Sequence, residues 1–358
     1  MGYVNLDKEA LSEDLLAILV ALGVSEADAK LTSEVLIRTE QWGVRSHGVM
    51  RIKRYADCLI SGGIRKSVPF TIERESGAWA LVDAGGGLGI PASVKATELA
   101  MRLAKAHTIG MVNVHRSHHN GAEGYYANFC AERSMAGLVM STGNPIMAVT
   151  GSADRTIGNN PFAYAVPGGR YGTVMMDIAM SAVADGKIQV AKADGEQLPP
   201  GCFLDASGRP STEPEDYLSG GVLLPFGGHK GYGLAVMVEA LAGILSGAAL
   251  TREINSWNET PGTCGDTGHM ILAIDISRIM DLQAFTARVE EMVRQFKESR
   301  KLPGVREILI PGELERRRLA DAGGSVSLTE SAFEQLQMAA DMAGVSLTST
   351  KQNGEKIK

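Results

Sequence analysis

Little in this chain points to a membrane, a nucleic acid or a disulfide framework. Its 358 residues include only 4 cysteines. Cys58, Cys130, Cys202 and Cys264 lie far apart with no C-x-x-C pair, which excludes a zinc knuckle or a dithiol redox motif and suits buried thiols in a reducing compartment. There is no basic excess: 35 Lys and Arg face 41 Asp and Glu, a net charge of −6, so the electrostatic footprint of a nucleic-acid or anionic-membrane binder is missing. Long apolar runs are missing too. Ala235 to Leu250 is interrupted by Glu239, is too short and glycine-rich to span a bilayer, and reads as a core helix. The first residues carry no basic region ahead of an apolar core, and Leu6 stands where a myristoylation signal needs Ser or Thr, so a cytoplasmic location is expected. Repeats and low-complexity blocks are absent. What these absences leave is a chain long enough for one large or two ordinary domains, acting on a small ligand.

Glycine, by contrast, is plentiful, with 42 residues, and it is densest between Leu223 and Gly247. There Gly227, Gly228, Gly231 and Gly233 surround His229 and Lys230 and run into an apolar helix. Glycines let a backbone approach a ligand closely, and a helix start exposes N–H groups that favour an anion. Neither the order of a Walker loop nor the G-x-G-x-x-G of a dinucleotide turn is present. The stretch reads either as an unfamiliar phosphate cradle or as a tight turn before a buried helix.

Along the chain, the spacing predicts a helix from Leu6 to Ala21 and a second from a Ser25/Asp28 capping box to Gly43. A third begins at Ser46 as N-cap and ends before Gly62. From Phe70 the texture becomes β-branched, with strands expected at 71–73, 80–82, 110–114, 137–141, 162–166, 172–176 and 270–275. Helices at about 92–106, 122–134 and 282–297 interleave with them. Pro199–Gly221 and Thr251–Gly268 read as surface excursions, and Ser327 with Glu330 as the capping box of a terminal helix to about Met342, followed by a polar tail from Ser346 to Lys358. The expected fold is mixed α/β: residues 1–70 helical, 71–297 a central sheet domain, and 298–358 packing back on the first part. A ligand between these parts would meet side chains of both.

Three polar stretches carry potential chemistry. His47, Arg51 and Tyr55 share one face if a helix starts at Ser46, combining an acid–base group, a planar cation that matches a carboxylate, and a phenol. The alternative is a solvated face. His115, His118 and His119 sit in a strand-to-helix turn that lacks the helical H-E-x-x-H frame of a metal site, so no metal is expected. Asp177, at a strand end before Ser181, suits a ribose hydroxyl or a helix cap equally.

Six motifs in order then resemble one family: Arg45 to Arg51; Ser117 to Gly121 with Gly124-Tyr125-Tyr126; Gly158-Asn159-Asn160-Pro161; Asp177 to Ser181 with Gly186-Lys187-Ile188; Leu224 to Gly233; and Ile310 to Glu313. The chain resembles the non-Rossmann malate/L-lactate dehydrogenase family, which includes ureidoglycolate and sulfolactate dehydrogenases, diketogulonate reductase and piperideine-2-carboxylate reductase. The resemblance implies an NAD-dependent oxidoreductase (NADP possible) of small 2-hydroxy/2-oxo acids. It further implies a non-Rossmann mixed sheet domain, a helical domain built from both termini, and a homodimer. It implies His47 as proton donor with Ser46 orienting it, His119 near the nicotinamide, and Arg51 and Tyr55 toward the substrate. Cofactor contacts fall on Asn160, on Met175, Met176, Asp177, Ile178, Ala179, Met180 and Ser181, on His229 and Lys230, and on Pro311, Gly312 and Glu313. Arg45 in place of an acidic residue, His118 in place of Asn or Thr, and Asn120 in place of an aromatic depart from the common pattern and bear on the substrate rather than the reaction. A magnesium-dependent nucleotide transferase and a catalytically idle nucleotide binder remain as readings from other classes.

Overall fold

A seven-stranded mixed sheet forms the middle of the computed structural model, which describes residues 2–349. In chain order the elements are β1 (Tyr3–Asp7), α1 (Lys8–Ala21), α2 (Glu26–Gln41), α3 (Ile52–Ser61), β2 (Thr71–Ser76), β3 (Trp79–Asp83), α4 (Gly89–His107), β4 (Ile109–Ser117), α5 (Glu123–Ala131), β5 (Met135–Ser141), β6 (Phe162–Pro167), β7 (Thr173–Ile178) and α6 (Asp185–Asp194). There follow β8 (Phe203–Leu204), β9 (Pro210–Ser211), α7 (Pro214–Leu218), β10 (Val222–Leu223), α8 (His229–Val238), β11 (Thr267–Asp275), α9 (Leu282–Glu298), α10 (Glu313–Ala322), β12 (Ser325–Thr329) and α11 (Glu330–Ala343). Strand order in the large sheet is β2-β3-β4-β11-β5-β6-β7. Only β3 and β4 pair in parallel.

Both faces of the middle strands are covered, which is why β4, β5 and β11 read as apolar runs, whereas the edge strand β2 is exposed along its length. On β11, Ile271 and Ala273 enter a core shared with α4, α5 and the terminal helices, while Met270 and Leu272 face a second core with Ala235, Val238 and Phe203. The period-2 alternation thus divides one strand between two cores.

Several expectations need correction. Tyr3–Asp7 is a strand rather than the start of a helix, because it pairs antiparallel with β12, Leu6 opposite Val326. Asp7 caps α1 by accepting from the Ala10 N–H at 2.9 Å. Ser327 belongs to β12, so the cap of α11 is Thr329, whose hydroxyl accepts from Ala332 N–H. The pairing of β1 with β12 joins the two ends of the described chain, and their apolar residues enter one core with α1, α2, α3 and α11. The Ala235–Leu250 stretch is no continuous core helix. After α8 it widens into a π-turn at Glu239–Gly243 and tightens into a 3₁₀ turn at Ile244–Ser246, leaving Leu234, Val236, Ile244, Leu245 and Leu250 exposed. The polar tail expected from Ser346 lies outside the described residues from position 350 on. Cys58, Cys130 and Cys202 are buried and Cys264 half-buried, all as free thiols. Among the described residues, no helix is long and apolar enough to cross a membrane, and no three His, Cys, Asp or Glu side chains gather as metal ligands.

Candidate active site

The third helix does not start at Ser46. Gly48, at φ −89° and ψ −148°, interrupts the helical path, so Arg45–His47 and Val49–Arg51 are separate 3₁₀ turns and α3 begins at Ile52. Freed from capping, Ser46 Oγ lies 2.9 Å from His47 Nδ1. The two turns are fastened from below by Glu40, whose Oε2 accepts from Val49 N–H at 2.9 Å. Burial pushes that carboxyl up to about 7.

This irregular corner faces the loop after β4. His47 and His119 stack with ring centroids 5.5 Å apart and 15° between planes. His119 in turn stacks on Trp257 at 4.3 Å and 15°, and the Arg51 guanidinium lies 5.5 Å from the Trp257 ring centre. Arg51 Nε donates to the Ser46 carbonyl at 2.5 Å, which fixes the root of the guanidinium beside His47. Tyr55 is fully buried, and its hydroxyl lies 2.7 Å from His119 Nδ1. Ser46, His47, Arg51, Tyr55 and His119 therefore meet in one cluster. Trp257 completes it. It was not legible because it lies inside a stretch that reads as a polar excursion; as one of only 3 tryptophans, its rarity was the available signal.

The cluster is short of positive charge. Burial first, and then Arg51, pushes the His47 pKa down to about 3. His119 is driven well below the ordinary histidine value by burial first, then by His47 and Arg51. Both imidazoles are neutral near pH 7.

The remaining expected residues fall into neighbouring groups. Asp177 is the penultimate residue of β7, and its Oδ2 accepts from Gly124 N–H at 2.7 Å, so it caps α5 across the sheet edge. A Cβ on Gly124 would lie 3.0 Å from Asp177 Cβ, so the close approach needs glycine. Although Asp177 is exposed, crowding pushes its carboxyl up to about 6 against the pull of the Gly124 N–H. Met175 packs on Gly312, which holds φ at +81°. Ile178 joins the second core and Met176 and Ala179 stay half-buried. Met180 and Ser181 lie against the turn before α8, where Phe226 N–H donates to the Met180 carbonyl. The Ser181 hydroxyl donates to the Val183 carbonyl. His229 and Lys230 open α8, both exposed, with no side-chain cap; Gly227 and Gly228 have positive φ, and space around Gly228 is open. The Lys230, Gly231 and Tyr232 N–H groups donate to the Gly227, Phe226 and Gly228 carbonyls, so an anion at this turn would be met chiefly by the exposed Lys230.

Two expected contacts are used inside the chain. The Asn160 amide, at φ +32°, accepts from Gly143 N–H and donates to the Ala235 carbonyl and to Glu239. The Glu313 carboxylate accepts from Lys297, Arg317 and the Ile310 N–H. The turn's backbone is largely engaged too: the Pro311 carbonyl accepts from Met175 N–H, the Gly312 carbonyl from Arg316 N–H, and the Glu313 N–H donates to the Ile310 carbonyl.

A family model described as malate/L-lactate dehydrogenase matches residues 6–337. A malate dehydrogenase of Pyrococcus abyssi is 38% identical over 320 residues, covering 87% of each chain. A Delta(1)-pyrroline-2-carboxylate/Delta(1)-piperideine-2-carboxylate reductase of Pseudomonas putida is 33% identical, covering 90% of this chain and 93% of its own. Among solved structures, a sulfolactate dehydrogenase from Methanocaldococcus jannaschii superposes with a TM-score of 0.89 at 32% identity, covering 96% of this chain and 98% of that one.

Proposed function

The chain belongs to the malate/L-lactate dehydrogenase family, and from that premise we propose which of its residues carry the reaction. It is a dehydrogenase/reductase that exchanges a hydride between a nicotinamide cofactor and a small 2-hydroxy or 2-oxo acid. The bound nicotinamide supplies or accepts the hydride. The protein's part is to hold the acid, move one proton and exclude other chemistry.

His47 is the proton donor in reduction and acceptor in oxidation, working through Nε2 while Ser46 Oγ holds Nδ1 at 2.9 Å. Arg51 binds the substrate carboxylate through the guanidinium nitrogens not used on Ser46. Because burial and Arg51 hold His47 neutral, an arriving carboxylate has a second task. Its negative charge offsets Arg51 and raises the imidazole pKa, so a 2-oxo acid binds together with a proton. The observation that carries this reading is the single cluster of Ser46-bonded His47, Arg51 and His119 against Trp257.

For the cofactor, the exposed Lys230 beside the open turn at Gly227 and Gly228 suits the phosphates, and the neighbouring surface of β7 and the Pro311–Glu313 turn suits the adenosine half. Asp177 has a second carboxylate oxygen beside the one used on Gly124, and Glu315 stands close enough to raise its pKa. Two acids would accept from a ribose diol and repel a 2′-phosphate, which supports NAD over NADP. A homodimer belongs to the same proposal, with the exposed apolar residues Leu234, Val236, Ile244 and Leu245 supplying a face to cover. So do a helical unit formed by residues 1–70 with the segment after 298, supported by the β1–β12 pairing, and a cytoplasmic site of action suited to four free thiols.

The test is nicotinamide absorbance decay with NADH or NADPH against pyruvate, oxaloacetate, sulfopyruvate and piperideine-2-carboxylate. NADH-dependent turnover on one of them is expected. Preference for NADPH overturns the Asp177 argument, and no turnover together with no cofactor binding overturns the assignment.

A further inference from the structure

His119 is held more completely than its role as a nearby donor requires. Its Nδ1 meets two groups: the Tyr55 hydroxyl at 2.7 Å and the Gly121 backbone N–H at 3.4 Å. A backbone N–H can only donate, so Nδ1 presents a lone pair to it, and in the neutral ring the proton then sits on Nε2. The hydroxyl must therefore donate as well. Tyr55 fits that demand: burial pushes its phenol far above the ordinary tyrosine value, so it keeps its proton, and its other acceptor within reach is the His119 carbonyl at 3.5 Å.

The doubly protonated ring is disfavoured by burial and by His47, Arg51, His118 and His269 around it. Rotation of the ring is blocked too. Trp257 stacks on it at 4.3 Å, and Tyr55 packs against both rings, with centroids 5.9 Å from His119 and 5.6 Å from Trp257. Plane and tautomer are thus set by Trp257, Tyr55 and Gly121, while burial and the neighbouring His47 and Arg51 keep the ring neutral.

We propose that Tyr55 is a positioning residue that, with Gly121, locks His119 as the Nε2–H tautomer, so that His119 offers a permanent neutral donor to a carbonyl or carboxylate oxygen and leaves proton transfer to His47. The division is chemically useful. Two adjacent imidazoles competing for one proton would let it rest on the wrong ring, whereas a locked donor stabilises developing negative charge on oxygen without titrating. Only the identity of the oxygen rests on the hydride-transfer reading; the tautomer does not.

The experiment uses the full chain labelled with ¹⁵N in its histidine rings, with long-range ¹H–¹⁵N spectra at neutral pH and His119 identified from its loss in His119→Gln. The wild type is expected to show an unprotonated Nδ1 and a protonated Nε2. In Tyr55→Phe, which removes one oxygen from a packed site and leaves only the longer Gly121 contact at 3.4 Å on Nδ1, the two nitrogens should shift toward a tautomeric average. Turnover should fall about tenfold, the scale of one lost hydrogen bond to a reacting group, with the cofactor dissociation constant within about twofold. An Nδ1–H tautomer in the wild type overturns the proposal without reference to any variant. So does a Tyr55→Phe protein with the wild-type tautomer and wild-type turnover. Failure of every substrate in the absorbance assay would instead strike the hydride-transfer reading and leave the tautomer measurement standing.

Discussion

His119, in the loop after β4, and His269, on the neighbouring β11, are both held by hydroxyls, yet the fold treats them differently. His269 is fully buried on β11, with Ser141 Oγ 2.8 Å from Nδ1 and Ser117 Oγ 2.8 Å from Nε2. Nothing is left over. His119 is held at Nδ1 alone, and His47 likewise through Ser46; among the described residues neither has a partner at Nε2. A histidine with both nitrogens satisfied is a rivet between strands β4, β5 and β11, whereas one with a nitrogen to spare is a tool. The difference teaches that unused hydrogen-bonding capacity, rather than histidine as such, marks the reactive cleft.

That contrast can be broken most forcefully at His47. His47→Ala should lower turnover about 10²–10⁴-fold while leaving the cofactor dissociation constant nearly unchanged, as steady-state kinetics and a cofactor titration would read. Unchanged turnover would put His47 with His269, among the rivets. Next comes Arg51→Leu, which removes a charged contact to the carboxylate; the 2-oxo acid should bind roughly 10–100-fold more weakly, with the cofactor unaffected. An unaltered KM would place the carboxylate elsewhere.

The rivet should respond in the opposite sense. His269→Phe keeps most of the volume but removes the imidazole partner of two buried hydroxyls, leaving Ser141 its bond to the Thr142 carbonyl and Ser117 only a long one to the His118 carbonyl, so it should lose roughly 1–3 kcal/mol of stability in denaturant unfolding while keeping most of its turnover. The stability has a definite pH signature. Burial holds the His269 pKa at about 3 against an ordinary value of 6.5, so the folded chain declines a proton that the unfolded chain accepts. Its contribution is complete above about pH 6.5 and falls as pH drops from there toward 3. The melting-temperature gap between wild type and His269→Phe should therefore narrow on acidification through that window. A gap that is constant or widens would show that the native imidazole is charged. The smallest effect is expected at Lys230: as an exposed charge near a helix start, its replacement by Ala should weaken cofactor binding roughly two- to fivefold, more at low salt than at high.

Much of the sheet was legible, and for a reason. Strands buried on both faces are apolar at nearly every position, so β4, β5, β6, β7 and β11 show as runs such as Gly137 to Ser141 regardless of their neighbours. The errors fell where a partner distant in sequence decided the outcome. Leu6 looks like the start of α1 until Val326, 320 positions later, pairs with it. Ala235–Leu250 looks like a buried helix because apolar character alone does not say which side a neighbour covers.

The site divided in the same way. His47, Arg51 and Ser46 stood out by residue type and spacing, and their proximity follows from one irregular corner of chain. Asn160 and Glu313 stood out by motif, but their side chains serve Glu239 and Lys297. Trp257 did not stand out at all, because what makes it part of the site is the ring of His119, 138 positions earlier, lying flat on it.

By itself, then, the sequence determined the class of chemistry and most of the strands, since residue type sets which groups can donate, accept or carry charge, and alternation sets what must be buried. Only the tertiary structure decided which of those groups keep a nitrogen or an oxygen free. That depends on where Ser117, Ser141, Tyr55 and Gly121 come to rest against the imidazoles, and a side chain's remaining valence is known only once its neighbours are in place.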